Sequence, residues 1–278
     1  MTIEEKFQEL KKMIKHAGET ARAYFDSEDV ANDLKHDGTV VTQVDQSIER
    51  MLRDYIINNF PGDAIVGEEE EAREGKSGFV WHIDPIDGTD NFLRRIPFCA
   101  VSVARLGDTQ EDSFGIVYNP ITGQMFSSLM DNGVFENERV HNLNSDFLGG
   151  KGVISMGRGQ EPWMKTAMYN LIKTIAMDLG ACRAYGSCAL ELAYVAANRI
   201  DGELIFGLHS WDWAAGIYLI KAGGGTISVF EDGAWQIWEG SLKELCSRHD
   251  RILFASHAGV HQRVLGLVGD PHKWADLE

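Results

Sequence analysis

Trp81-His82-Ile83-Asp84-Pro85-Ile86-Asp87-Gly88-Thr89-Asp90-Asn91-Phe92 is the stretch from which the rest of the chain is best read. Phe79, Trp81 and Ile83 recur at every second position and predict a strand over 79–84. Pro85 then fixes φ, and Gly88 permits a tight turn into a helix that starts near Thr89. Two carboxylates three residues apart on one tight turn, Asp84 and Asp87, can converge on a single point. Hard divalent cations take oxygen ligands, and Mg²⁺ uses one or two carboxylates together with waters and phosphate oxygens. The helix start also aims backbone N–H groups at an anion. Taken alone, the stretch fits equally well two aspartates serving as turn former and helix cap. The D-x-[DN]-x-[DN]-G spacing of an EF-hand is absent.

Upstream, Ile48, Leu52, Tyr55 and Ile56 mark the inner face of a helix over 43–60, stopped by Pro61-Gly62-Asp63. Ile3, Phe7, Leu10, Ile14, Ala17 and Ala21 give a similar face to a helix over 3–25. A short strand at 64–67 leads into a polar, exposed connection over 68–78. Downstream, 99–137 reads as an antiparallel meander, with Asn132-Gly133 as its strongest hairpin signal. Beyond Gly149-Gly150, strands at 153–156, 182–185 and 202–206 alternate with helices at 163–177, 187–198 and 211–222. The class is therefore α/β, with an α+β N-terminal half (1–145) and an α/β C-terminal half (146–278).

Composition narrows the function. The 278 residues are 44% hydrophobic and 24% charged, ordinary values for a folded chain. No run reaches the roughly 18 apolar residues of a membrane helix, and Met1-Thr2-Ile3-Glu4-Glu5 does not open a secretory signal. The expected location is the cytoplasm, with no membrane partner. Cys99, Cys182, Cys188 and Cys246 have no metal-site spacing and read as free thiols. A net charge of −16 argues against a nucleic-acid partner, since the phosphate backbone would be repelled. It would repel a small anionic substrate too, unless cations sit inside the site.

Three further acids change the balance. Glu68 ends the strand at 64–67, Asp45 begins the helix at 43–60, and Asp212 follows Trp211 at another helix start. Each alone fits a cap or a solvated acid. Together with Asp84-Pro85-Ile86-Asp87-Gly88-Thr89, Asn91-Phe92 and Trp211-Asp212, they resemble the inositol monophosphatase family over about residues 35–225. Its wider superfamily includes fructose-1,6-bisphosphatases and phosphonucleotide phosphatases.

The resemblance implies a layered αβαβα sandwich and a Mg²⁺-dependent phosphomonoesterase with two or three ions per site. Glu68, Asp84 and the Ile86 carbonyl would hold one ion. Asp84, Asp87 and Asp212 would hold a second, and Glu68 would help a third through water. Thr89, hydrogen-bonded to Asp45, would orient the attacking water. The N–H groups of Gly88 and Thr89 would hold phosphate, and Lys35 matches a lysine on a mobile loop. Four carboxylates offset by two divalent cations would let an acidic protein admit an anion. Arg183, Gly186, Ser187 and Cys188, with Asp87 and Asp212, would stand beside the substrate's alcohol. The resemblance also implies lithium sensitivity, competition by Ca²⁺ and a homodimer.

One position departs from the pattern. Ile205 stands where inositol-preferring members carry a glutamate, seven residues before Asp212, while Glu203 lies two residues away on the same side of a strand. An apolar side chain does not hydrogen-bond a polyol. Inositol phosphate is therefore disfavoured against sugar, histidinol or nucleotide phosphates. The short connection from Glu68 to Asp84 suggests an open entrance. Gly75-Lys76-Ser77 lacks the earlier glycine of a Walker loop, and Gly223-Gly224-Gly225 reads as a helix end. His257 and His261 read as surface residues, Trp211 and Trp213 as packing residues, and 189–196 as an ordinary Leu/Ala helix face. A catalytically silent regulatory relative and a simple Mg²⁺ or Ca²⁺ module are the alternatives.

Overall fold

The computed structural model describes all residues except 28–31, 35–39, 110, 131, 142, 144–151, 160, 249–251 and 276–278, and only the backbone of 32–34, 40–42 and 158. Lys35 and the expected boundary between the halves at 145/146 lie outside the described residues.

Five layers stack. Helices α1 (Ile3–Asp26) and α2 (Gln43–Asn59) form the first; between them lies a small hairpin, β1 (Asn32–Leu34) and β2 (Val40–Thr42). Seven strands make the second layer: β3 (Ala64–Gly67), β4 (Val80–Asp87), β5 (Ala100–Leu106), β6 (Phe114–Asn119), β7 (Gln124–Leu129), β8 (Val134–Glu136) and β9 (Arg139–His141), side by side in chain order. β3 and β4 are parallel and all later pairs antiparallel, so the expected meander forms. A short helix, α3 (Thr89–Leu93), leaves the end of β4.

The second half supplies β10 (Gly152–Arg158), α4 (Pro162–Asp178), β11 (Gly180–Arg183), α5 (Cys188–Ala196), β12 (Gly202–Phe206) and α6 (Ser210–Ala222). β13 (Thr226–Glu231), β14 (Ala234–Ile237), α7 (Leu242–Cys246), β15 (Ile252–Ser256) and α8 (Ala258–Val268) follow, closed by a 3₁₀ turn at Pro271–Trp274. Its sheet runs β11-β10-β12-β15-β13-β14, parallel on the β11-β10-β12 side and antiparallel beyond. The six elements after α6 carried no sequence expectation; the strands among them are short and leave little periodic signal.

Apolar burial explains the stacking. Phe7, Leu10 and Ile14 of α1 and Ile48 and Leu52 of α2 pack on the outer face of the first sheet with Trp81 and Phe114. Helices α5 and α6 are apolar all round, and they lie between the two sheets. Ala104, Val117 and Phe126 from one side and Ile205, Val229 and Leu253 from the other share that middle core. Helices α4 and α8 cover the far face of the second sheet through Leu171, Ile175, Val260 and Val264.

Two readings are corrected. His257 and His261 are buried, at 3% and 2% exposure. His261 spans Ser228 Oγ and Ser256 Oγ at 2.8 Å each, and His257 Nε2 meets Asp201 Oδ1 at 2.8 Å. Residues 189–196 are more than a Leu/Ala face, because they include Glu191, buried at 1%.

The start of β4 is anchored by a buried ion pair. Asp63 accepts from Arg105 Nε and Trp81 Nε1, each at 2.8 Å, and from Ser77 Oγ at 2.5 Å. The connection over 68–78 is held as well. Glu49, fully buried, accepts from the Glu69 and Glu70 N–H groups at 2.7 and 3.1 Å and from Arg53 Nε at 2.8 Å.

Candidate metal and substrate site

β4 runs on through Asp84 and Pro85 to Asp87, past the strand end expected at Asp84, and its register with β5 shifts between Asp84 and Asp87. That irregularity brings both carboxylates to one place. Gly88 follows at φ +88°, and a Cβ there would lie 2.8 Å from the Gly186 carbonyl oxygen and 3.1 Å from Ser187 Cβ. Only glycine allows this turn to seat against the start of α5.

Asp212 arrives from the first turn of α6, where its Oδ2 accepts the His209 N–H at 2.7 Å. Asp87 is anchored by Oδ2, which accepts from Ser187 Oγ at 2.5 Å and Ala189 N–H at 2.8 Å. One carboxylate oxygen from each of Asp84, Asp87 and Asp212 lies within 4.8 Å of the others. Asp84 Oδ1 is buried with no hydrogen-bond partner. An orphaned oxygen in a convergent set of hard oxygen donors fits a divalent cation.

Burial and mutual repulsion act on all three acids. Burial first, and then the charges of Glu68, Asp87, Asp212 and Asp45, push Asp84 well above the usual carboxylate range. Asp212 is pushed well up by burial and by Asp87 and Glu68. Burial raises Asp87 to about 7, against the lowering effect of its Ser187 and Ala189 donors. A site that disfavours its own anions in this way is one a cation would relieve.

The other expected residues take distinct places. Glu68 stands outside the 4.8 Å set, half-buried just past β3, yet its charge is felt by all three aspartates. Asp45 is buried in the first turn of α2, near enough to repel Asp84. The Thr89 hydroxyl donates to the Ile86 carbonyl at 3.0 Å.

A cavity of about 570 Å³ opens beside the triad, lined by Asp87, Asp212, Gly186, Ser187 and Cys188 among others. Ile205 is fully buried in the middle core and Arg183 is exposed at the end of β11; neither lines this cavity. No residue of the 68–78 connection lines it either. Burial, and then the charge of Glu203, raise the Cys188 thiol well above its usual range, which disfavours the thiolate.

Several lining residues carried no sequence signal as a group: Met156 and Gly157 of β10, Tyr169 of α4, Tyr185, Glu191 and Leu208. They come from five separate segments, and only the layer stacking brings them together. Glu191 Oε1 accepts from the Tyr185 and Gly186 N–H groups at 3.0 and 2.9 Å, and burial raises its carboxyl to about 8.

Fold and site together define a layered α/β protein with a convergent carboxylate centre at the junction of its sheets. The chain belongs to the inositol monophosphatase family, whose pattern it matches over residues 4–270. It is 34% identical over 229 residues to the inositol-1-monophosphatase of Rhizobium meliloti, covering 80% of this chain and 84% of that one. It is 32% identical over 225 residues to the Nus factor SuhB of Pasteurella multocida, again covering 80% and 84%. Among solved structures, the extragenic suppressor protein suhB of Bartonella henselae superposes with a TM-score of 0.78 at 26% identity, over 98% of both chains.

Proposed function

We propose that this protein is a Mg²⁺-dependent phosphomonoesterase acting on a small phosphorylated metabolite. The observation that carries this reading is the convergence of Asp84, Asp87 and Asp212, with Asp87 and Asp212 at the wall of a cavity large enough for such an ester. Asp84, Asp87 and Asp212 would hold one ion, and Glu68, Asp84 and the Ile86 carbonyl another. When bound, the ions supply an acidified water and charge compensation for the leaving oxygen.

The chain's own residues do the rest. Ser187 and the Ala189 N–H fix Asp87, and the His209 N–H fixes Asp212, so these two carboxylates are oriented before anything binds. The turn at Gly88 sets the N–H groups of Gly88 and Thr89 toward the phosphate. Thr89, with its hydroxyl near Ile86 and with Asp45 behind the site, positions the attacking water. Lithium inhibition, Ca²⁺ competition, a homodimer, a cytoplasmic location and a division into two halves near residue 145 belong to the same proposal.

Phosphate release from sugar, inositol, histidinol and nucleotide phosphates, first with Mg²⁺ and then with EDTA, tests it. Chelator-sensitive release supports the reading. Silence from a folded, Mg²⁺-loaded sample refutes it and favours the second reading, a regulatory protein, which the similarity to relatives named Nus factor SuhB supports.

A further inference from the structure

The inner face of the first sheet is covered unevenly. Helix α6 packs across β4 to β8, while β3 lies at the sheet edge beyond them. In the parallel pair of β3 and β4, Ala64 stands beside Val80 and Val66 beside His82. The alternate residues Ile65 and Trp81 belong to the outer core, so these four turn inward. Together with the start of α6 and with α7 they line a cavity of about 690 Å³. It shares no described lining residue with the cavity beside the triad.

One polar atom on this wall is left without a partner. His82 borders the cavity at 4% exposure, and its Nδ1 meets Ser210 Oγ at 2.9 Å. Its Nε2 is buried and makes no hydrogen bond. Leaving a buried ring nitrogen bare is costly, so a ligand atom that satisfies it gains affinity. Much of the remaining wall is apolar: Ala64, Val66, Val80 and Trp211, whose indole stacks on the His209 ring at 4.4 Å.

The charged groups around the cavity narrow the choice of ligand. Lys243 Nζ is taken by Asp108 Oδ1 at 2.8 Å, and Arg73 donates to the Asp63 and Pro61 carbonyls at 3.1 and 2.8 Å. Glu74, Asp108 and Glu244 outnumber these two bases on the wall, which disfavours an anion. A cation would find Asp108 held by Lys243 and Glu244 held by Arg248. A divalent metal needs converging donors, and among the described residues only the aspartate triad converges. A lone water would satisfy Nε2 and leave the apolar wall wet. An uncharged aromatic ring covers that wall and lies well against an indole. A hydroxyl on the ring both donates and accepts, so it suits Nε2 in either tautomer of the imidazole.

We infer that this cavity is a second small-molecule site, for an uncharged aromatic alcohol. The hydroxyl bonds His82 Nε2, and the ring lies between the inner face of β3 and Trp211. The occupant sits against the first turn of α6, the turn that carries Asp212. The site is independent of the phosphomonoesterase reading, and its test needs no turnover.

The test is equilibrium dialysis of the full chain against 2-naphthol and against 2-fluoronaphthalene, which has a similar shape and no hydroxyl. The wild type should take up 2-naphthol with a Kd of about 0.1 mM, and the fluoro compound about tenfold more weakly. His82→Phe keeps a ring and removes the nitrogen, and it should abolish the preference. Val66→Phe fills the space beside His82 and should weaken both ligands by about tenfold. Circular dichroism checks that each variant is folded. Uptake of neither compound by the wild type, or of both alike, overturns the inference. So does a preference that survives in folded His82→Phe. If that variant does not fold, Val66→Phe decides, and unchanged 2-naphthol uptake there overturns the inference.

Discussion

The aspartate triad and the glutamate pair Glu191 and Glu203 are both sets of largely buried acids, yet the protein holds them in different ways. Asp87 and Asp212 each have one oxygen tied by donors from neighbouring segments. Glu203 has only the Cys188 thiol beside it as a donor, and Glu191 is held through Oε1 by the Tyr185 and Gly186 N–H groups, with the Ser155 hydroxyl as a further donor. Tied carboxylates are rigid before binding, as metal ligands need to be. The difference separates a set of acids that converges on one point beside the cavity from a pair sealed beneath its wall.

The largest effect that could break this contrast comes from the triad. Asp84→Asn, Asp87→Asn and Asp212→Asn should each cut turnover by about a thousandfold or more, the scale of several kcal/mol of lost charge stabilisation. Circular dichroism should show the fold retained, with the metal-free protein no less stable. Activity close to wild type in any one variant would remove that residue from the centre.

Next comes pH. An acid whose folded pKa is raised stabilises the fold fully below its unfolded pKa, and this is lost as pH climbs through the folded value. Asp87 is raised from 3.8 to about 7, and Asp84 and Asp212 shift in the same direction. The Tm in EDTA should therefore fall between pH 5 and pH 8. Mg²⁺ at a hundred times its Kd should add about 2.7 kcal/mol and flatten that slope. Scanning fluorimetry across the range checks both, and a flat profile in EDTA would contradict the crowding.

Smaller is the effect of untying one ligand. Ser187→Ala removes the 2.5 Å bond to Asp87 and should cost about 2 kcal/mol of stability. It should also lower turnover by about tenfold to a hundredfold, read by denaturant titration and phosphate release. The smallest effect is expected at Glu203. Burial pushes its carboxyl well up, so Glu203→Gln should change stability by less than about 1 kcal/mol at pH 6 and become stabilising as pH rises and the acid is forced to ionise. A loss of stability there would mean that the carboxylate has a structural partner after all.

How far the sequence could be read follows the same division. Asp84 and Asp87 were legible as a convergent pair because they lie three residues apart on one turn, although that turn alone fits a helix cap equally well. Asp212, far off in the chain, joined them only through the family resemblance. Helices α1 and α2 and the meander were legible from strong periodicity. The cavity wall was not, because Gly157, Tyr169 and Glu191 are far apart in the chain and meet only when the layers stack. Glu191 hid within an apolar helix, and His261 gave no hint of the serines that hold it. The strand end was placed too early for a related reason, since proline usually interrupts a ladder and here β4 continues past Pro85 to Asp87.

The bonds from Ser187 and Ala189 to Asp87 have a consequence for how such a protein can change over generations. The start of α5 shapes the cavity and also fixes a carboxylate of the triad. Variation at 187–189 therefore disturbs the triad together with the cavity. Met156 and Gly157 of β10 line the cavity without holding a triad carboxylate. Changes of cavity shape should accumulate on that strand, while the first turn of α5 stays fixed in every descendant that keeps the triad.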